Sequence, residues 1–220
     1  FTLMARTNPA IRGAGGISAF IVERGTPGLS TGKPEKKMGQ QGAHISDVIF
    51  ENCRVPAANL IGDEGQGFKY ILSGMNAERL LIAAECIGDA KWFIEKASAY
   101  AKERVLFNRP IGQNQGVQFP IARAYAQMRA AELMVSEGLR KYEAGEPVGE
   151  EANMAKMLAA EASWAAGEAC IQTHGGFGFA AEYDIERKFR ETRLYQVAPI
   201  STNMILSVIA EHVLGLPRSY

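Results

Sequence analysis

Charge of one sign is what this chain lacks first. Lys and Arg number 24 and Asp and Glu number 24, so the 220 residues carry no formal net charge at pH 7. A surface built for nucleic acid or anionic membrane needs an excess of cations, so neither is expected as a partner, although a local phosphate site stays compatible with neutrality. Cysteine is nearly missing as well: Cys53, Cys86 and Cys170 stand alone without CxxC spacing. That excludes a disulfide framework and points to buried thiols in a reducing compartment. His44, His174 and His212 are scattered, so no metal site is expected and packing or surface roles fit them better. No apolar run approaches the length of a membrane span, and no secretory pattern opens the chain. Nor is there an initiator Met: Phe1-Thr2-Leu3-Met4-Ala5 reads as the middle of a strand, so a C-terminal or processed piece of a longer protein is expected.

Apolar residues make up 47% of the chain, enough for a substantial core in one large or two small domains. The first third reads as β. Ile17 to Glu23 is rich in β-branched and aromatic residues and is flanked by Gly15-Gly16 and Gly25-Thr26-Pro27-Gly28. His44 to Phe50 forms a second run, closed by Pro56. From Phe68 onward helix formers dominate. A helix over about residues 77 to 103 is apolar on more than one face, as a helix buried between others would be. A second, over about 119 to 144, carries the stripe Ile121, Tyr125, Met128, Val135, Leu139 and Tyr142, whose spacing fits an antiparallel bundle. An alanine-rich third runs from about Glu150 to Thr173, after the break at Gly145-Glu146-Pro147. A last helix spans about Ser201 to Leu214. Trp92, Trp164 and Met128 are expected in the core.

An ordered set of strings resembles the acyl-CoA dehydrogenase family. Phe20-Ile21-Val22-Glu23, Thr26-Pro27-Gly28 and Met38-Gly39 are similar to the end of its middle β domain, and Val48 to Pro56 to its last strand and exit. Gly62-Asp63-Glu64-Gly65-Gln66-Gly67-Phe68 resembles the turn into the C-terminal helical domain. Glu103 to Phe107, Gln115, and Gln172-Thr173-His174-Gly175-Gly176-Phe177-Gly178 complete the series. The resemblance implies a mainly α fold with a partial β domain: the second half of a middle β barrel over residues 1–62, then an antiparallel four- or five-helix bundle over 63–220. It also implies FAD, an acyl-CoA substrate, an electron-transfer flavoprotein as electron acceptor, a homodimer or homotetramer, and residence in the bacterial cytoplasm or the mitochondrial matrix.

In that family a glutamate removes the α-proton of a thioester while hydride leaves the β-carbon for the flavin. Most members carry it in a late loop that matches Pro199; a minority, resembling isovaleryl-CoA and long-chain dehydrogenases, carry it on a helix at the position of Glu78. This chain has the helical glutamate and lacks the loop one, so the resemblance implies that Glu78 is the base. Taken alone, Glu78 also reads as a first-turn acid favoured by the helix dipole. Asn76 and Arg79 match a segment lining the acyl-CoA channel; in isolation they read as an N-cap and a surface arginine. Ala198 and Pro199 would shape the acyl pocket. Proline has no N–H, so one donor that the loop-glutamate relatives direct at the thioester oxygen would be missing, a loss on the order of 3 kcal/mol of barrier.

Arg104 and Phe107 resemble the family's Arg-x-x-Phe string at the FAD of a neighbouring subunit, where the arginine fork suits a pyrophosphate. Gln115 would contact the same cofactor. Gln172, Gly175 and Gly176 would admit the adenosine half, with a plain helix C-cap as the simpler reading of Gly175. Ser201 and Asn203 fall where relatives contact FAD, and also read as an N-cap. Two other functions stay open: a flavoprotein relative with oxidase or altered substrate chemistry, and an inactive piece that serves only oligomerisation.

Overall fold

The computed structural model describes residues 1–219. The chain divides into two compact units, Phe1–Met75 and Asn76–Tyr220.

The first unit is built from short strands. β1 (Thr2–Arg6), β2 (Ile17–Ile21) and β5 (Leu60–Ile61) form an antiparallel sheet in the order β1-β2-β5, with Met4 opposite Ala19. β3 (Leu29–Thr31) pairs with β4 (Val48–Phe50). The run expected from His44 therefore enters the regular ladder only at Val48. Hydrogen bonds from Gly32 N to Asp47 O and from Glu35 N to Ile45 O prolong the pairing, but Pro34 has no N–H to give and the ladder loses its regularity there. Ser18 is fully buried on β2 and accepts from Gly65 N at 2.8 Å, which ties the glycine-rich turn to the sheet.

The second unit is helical. α1 (Gly67–Glu103) begins in the first unit and runs on through the second. α2 (Gln115–Glu143) and α3 (Gly149–His174) pack on each other, and α4 (Ile185–Thr192) packs on α3. α5 (Thr202–Val208) passes into a π turn at Ile209–Val213. A hairpin of β6 (Val105–Leu106) and β7 (Arg109–Pro110) separates α1 from α2.

α1 starts ten residues before the expected position, and this corrects two local readings. Asn76 is interior to the helix and caps nothing, and Glu78 lies beyond the first turn, outside the reach of the dipole. The glycines near 62–67 hid the start, because they suggested that the loop continued. α4 was not foreseen: Ile-Glu-Arg-Lys-Phe-Arg-Glu-Thr offers few apolar residues to count. Its length is instead supported by i,i+4 pairs, Arg187 with Glu191 at 2.6 Å and Arg190 with Glu186 at 2.5 Å.

The core follows from alanine spacing. Ala152, Ala155, Ala159, Ala162 and Ala166 of α3 are all buried in one core with Leu80, Phe93 and Met128; Phe93 of α1 reaches α3 at Gly167, and Leu80 reaches α2 at Gly138. Gly145 ends α2 in a Schellman motif: its φ is +70°, its N–H donates to Tyr142 O, and Glu146 N donates to Lys141 O. The chain then turns directly into α3, held by the Lys141–Glu151 ion pair.

Candidate functional site

The segment from α4 to Ile200 is fastened to α1 and α3 at four points. Lys188 pairs with Asp89 at 2.6 Å. Ser163 and Thr192 share a hydroxyl contact of 2.5 Å. The Tyr195 phenol donates to Glu85 Oε1 at 2.5 Å, and Lys156 Nζ donates to Ile200 O at 2.6 Å. On α1 the ties step from Asp89 back to Glu85, and on α3 from Ser163 back to Lys156. The segment thus advances along α1 toward its N-terminal end as the sequence advances toward Pro199.

Glu78 lies seven residues before Glu85, about two helical turns, and so falls on the same face of α1. It is exposed, with Leu81 one turn along, 69% exposed. Arg79 is half-buried and donates to Asn76 Oδ1 at 2.8 Å, while its Nε is buried with no partner among the described residues. Burial holds the Arg79 pKa below its ordinary value, against the opposing pull of Glu78. Ala198 and Pro199, joined by a cis bond, are half-buried in the loop that follows Tyr195.

The charged groups beneath this loop are perturbed chiefly by desolvation. Burial raises the Asp89 carboxyl although Lys188 opposes it. Burial pushes the Cys86 thiol up to about 12 and the Tyr195 phenol well up, so Tyr195 is a firm donor. Lys156, fully buried, is held below its ordinary value by burial, with Arg79 adding to the effect and Cys86 opposing it. Sequence reasoning missed Lys156. Its signal was legible: Lys156 sits in the buried stripe Ala152, Ala159, Ser163 and Ala166, where an unexplained charge is costly.

A second feature is a groove of about 410 Å³ at the end of α3, lined by Tyr100, Arg104, Leu106, Thr173, Gly175 and Gly176 among others. His174 stacks on Tyr100 at 4.2 Å, and its Nδ1–H donates to Cys170 O at 2.8 Å. Arg104 lies over the Phe177 ring at 5.6 Å, and no hydrogen bond ties its guanidinium among the described residues. Gly175 caps α3 with φ +57°, a conformation that favours glycine. Gly176 has no such φ, and a Cβ there would meet nothing within 4 Å. Neither a positive φ nor packing within the chain calls for glycine at 176.

The remaining expected residues do not join these two places. Phe107 is 96% exposed at the tip of the β6–β7 hairpin, where it and Asn108 take φ +52° and +62°. Asparagine tolerates that left-handed turn and so substitutes for glycine. Gln115 is exposed at the start of α2. Gln172 lines a separate groove between α2 and α3, on the stripe Trp164, Glu168, Gln172; one residue further, Thr173 turns toward Arg104. Trp164 is half-buried in that groove under Arg193 and so stands outside the core. Ser201 is the N-cap of α5, its hydroxyl accepting from Met204 N at 3.4 Å, and Asn203 is exposed on the first turn. Among the described residues no cluster of His, Cys, Asp or Glu is arranged for a metal, and no helix is long and apolar enough to cross a membrane.

The chain is 39% identical over 204 residues to an acyl-CoA dehydrogenase of Bacillus subtilis (strain 168), covering 93% of this chain and 54% of that protein. It is 38% identical over 212 residues to the acryloyl-CoA reductase (NADH) of Anaerotignum propionicum, covering 96% and 54% respectively. The solved structure described as PigA with FAD and proline superposes with a TM-score of 0.94 at 28% identity, over 98% of this chain and 56% of the other. The chain therefore spans about half the length of the curated relatives it matches. The sequence profile of the acyl-CoA dehydrogenase C-terminal domain matches residues 65–214. A match over that much of the chain, with relatives at this level of identity, places the chain in the acyl-CoA dehydrogenase family.

Proposed function

We propose that the full-length protein is an FAD-dependent acyl-CoA dehydrogenase that converts an acyl-CoA thioester to the 2-enoyl-CoA, with Glu78 as the base. The observation that carries this reading is the register of α1: Glu78 shares a face with Glu85, and Glu85 holds Tyr195 just ahead of the loop containing Pro199. The helical glutamate and the loop that bears the glutamate in other members are thereby directed to one region. Glu78 makes no hydrogen bond among the described residues, so its carboxylate is available to accept a proton. Arg79 and Asn76 brace the turn beside it, and Leu81 offers apolar surface to an acyl chain. Pro199 contributes shape and no N–H, so thioester polarisation falls to other donors.

FAD, when bound, supplies the acceptor for the β-hydride. The groove at Arg104, Gly175 and Gly176 fits such a group: an untied guanidinium fork suits a pyrophosphate, and Gly176 leaves room for close approach. Phe107, projecting from its hairpin, would reach the cofactor of a second subunit in a homodimer or homotetramer, with Gln115 and Gln172 on surfaces that such a partner could cover. Ser201 and Asn203 would meet FAD from the start of α5. Electrons would pass to an electron-transfer flavoprotein. The strands complete the second half of a β barrel (residues 1–62), and the helices form an antiparallel bundle (63–220), in a soluble enzyme of bacterial cytoplasm or mitochondrial matrix.

The similarity to an acryloyl-CoA reductase supports a second reading, the same chemistry run toward reduction. Glu78 would then give its proton to the α-carbon. Anaerobic titration of the full-length flavoprotein with short, branched and long acyl-CoAs tests the first reading: bleaching of the flavin by one class establishes dehydrogenation and names the substrate class. A flavin that is bleached by none and, once reduced, is reoxidised by a 2-enoyl-CoA supports the second.

A further inference from the structure

We infer that Lys156 is a positioning residue of the reaction site, holding the Ala198–Ile200 loop against the face of α1 that carries Glu78 and Arg79. The inference rests on the site proposed above and extends it to a residue of the core.

Lys156 is fully buried, and its Nζ donates to the Ile200 carbonyl at 2.6 Å. Arg79 opposes its charge, the Cys86 thiol, pushed up to about 12, carries no charge to pair with it, and no carboxylate acts on it among the described residues. An ion pair therefore does not explain why a charge is kept in an alanine-lined core, where an apolar side chain of similar length would pack at less cost. What the ammonium does provide is a charge-assisted hydrogen bond to a carbonyl of the loop.

The loop needs that bond. Pro199 has no N–H, and the neighbouring backbone hydrogen bonds are those of Ala198 N to Leu194 O on one side and Ile205 N to Ser201 O on the other. Register on two helices places the tie. Lys156 and Ser163 are seven residues apart on one face of α3, and they hold Ile200 and Thr192, the two ends of the segment around Tyr195. On α1 the ties step back from Asp89 to Glu85, and two turns further back on that helix lie Glu78 and Arg79, so the Lys156 tie stands on the side of Tyr195 toward which the segment advances to these residues. A loop released at this point would shift against the base, and a displacement of about 1 Å in a reacting pair costs roughly 100-fold in rate.

The test uses the full-length flavoprotein with the acyl-CoA that bleaches it. Lys156→Met keeps length and removes the donor; Lys156→Arg keeps a donor and lengthens the reach. FAD content, oligomeric state and thermal midpoint report structure. Acyl-CoA affinity and the anaerobic rate of flavin reduction, with α-deuterated substrate, report positioning. Lys156→Met is expected to keep FAD, to bind acyl-CoA within a few-fold of the parent, and to reduce flavin roughly 10- to 100-fold more slowly with a larger α-deuterium effect. Lys156→Arg is expected to fold, with an intermediate rate. Parent-like reduction by Lys156→Met overturns the inference, and so does a loss of rate that merely tracks a loss of FAD.

Glu78→Gln in the same assay keeps the two claims apart. Slow Lys156→Met with normal Glu78→Gln means that the base is misassigned and the positioning role stands. Inactive Glu78→Gln with normal Lys156→Met removes the positioning role alone.

Discussion

Tyr195 and Glu85 are 110 residues apart in sequence, yet the phenol of one donates to the carboxylate of the other at 2.5 Å. The bond links the middle of α1 to the turn immediately before Pro199. It converts a helix that carries a candidate base and a loop that lacks one into parts of one assembly.

Tyr195→Phe tests that link. The ring is buried and stays packed, so the change removes one hydrogen bond to a charged acceptor, worth about 1.5–3 kcal/mol. A fall in thermal midpoint with retained FAD is expected, together with slower flavin reduction. A variant equal to the parent in both would show that the tie does not position the loop.

Gly176→Ala separates a ligand contact from a packing contact. A Cβ at 176 meets nothing in the chain, so the variant should unfold in denaturant at the parent's midpoint. FAD affinity should drop at least several-fold, because the added methyl occupies the side that the cofactor would approach. Arg104→Lys should weaken FAD in the same way, since a point charge replaces a bidentate fork. Unchanged flavin retention in both variants would remove FAD from this groove.

Lys156 also has a pH signature. Its folded pKa is lowered from the ordinary 10.5, so between the two values the unfolded chain binds more protons than the folded one. Stability from this group is therefore reduced below the folded pKa and recovered as pH rises toward 10.5. Measured by urea unfolding from pH 7 upward, the parent should gain stability relative to Lys156→Met across that window. A difference between the two proteins that does not vary with pH would contradict the shift.

Much of the fold was legible because its signals are local. Alanine richness marked α3 as a helix that others approach closely, and Gly145-Glu146-Pro147 marked the turn before it. The start of α1 was not legible, since Gly65 and Gly67 read as loop while the helix begins among them. α4 escaped because charge pairing, and no apolar stripe, supports it. At the site, the strings that resemble the family pointed to Arg104, Gly175 and Gly176, and the structure brings these three into one groove. Gln172 shows the limit of that approach: adjacent in sequence to Thr173, it faces a different surface, because one step along a helix turns the side chain by about 100°. The ties Tyr195–Glu85 and Lys156–Ile200 join residues 110 and 44 positions apart, and no window of sequence contains both partners.

Moving the base is a stricter test than removing it. In a Glu78→Gln, Pro199→Glu double variant the carboxylate stands at the loop position used by most of the family. The loop backbone here is held through Ile200 and was shaped around proline, so the account expects no recovery of flavin reduction. Recovery to a substantial fraction of the parent rate would show that the loop can present a base.

The most direct measurement is the rate of anaerobic flavin reduction by acyl-CoA in full-length Glu78→Gln, beside the parent. The account predicts a variant that keeps FAD, binds acyl-CoA and leaves its flavin oxidised, because no group remains to take the α-proton. Reduction at near the parent rate would contradict it and place the base elsewhere.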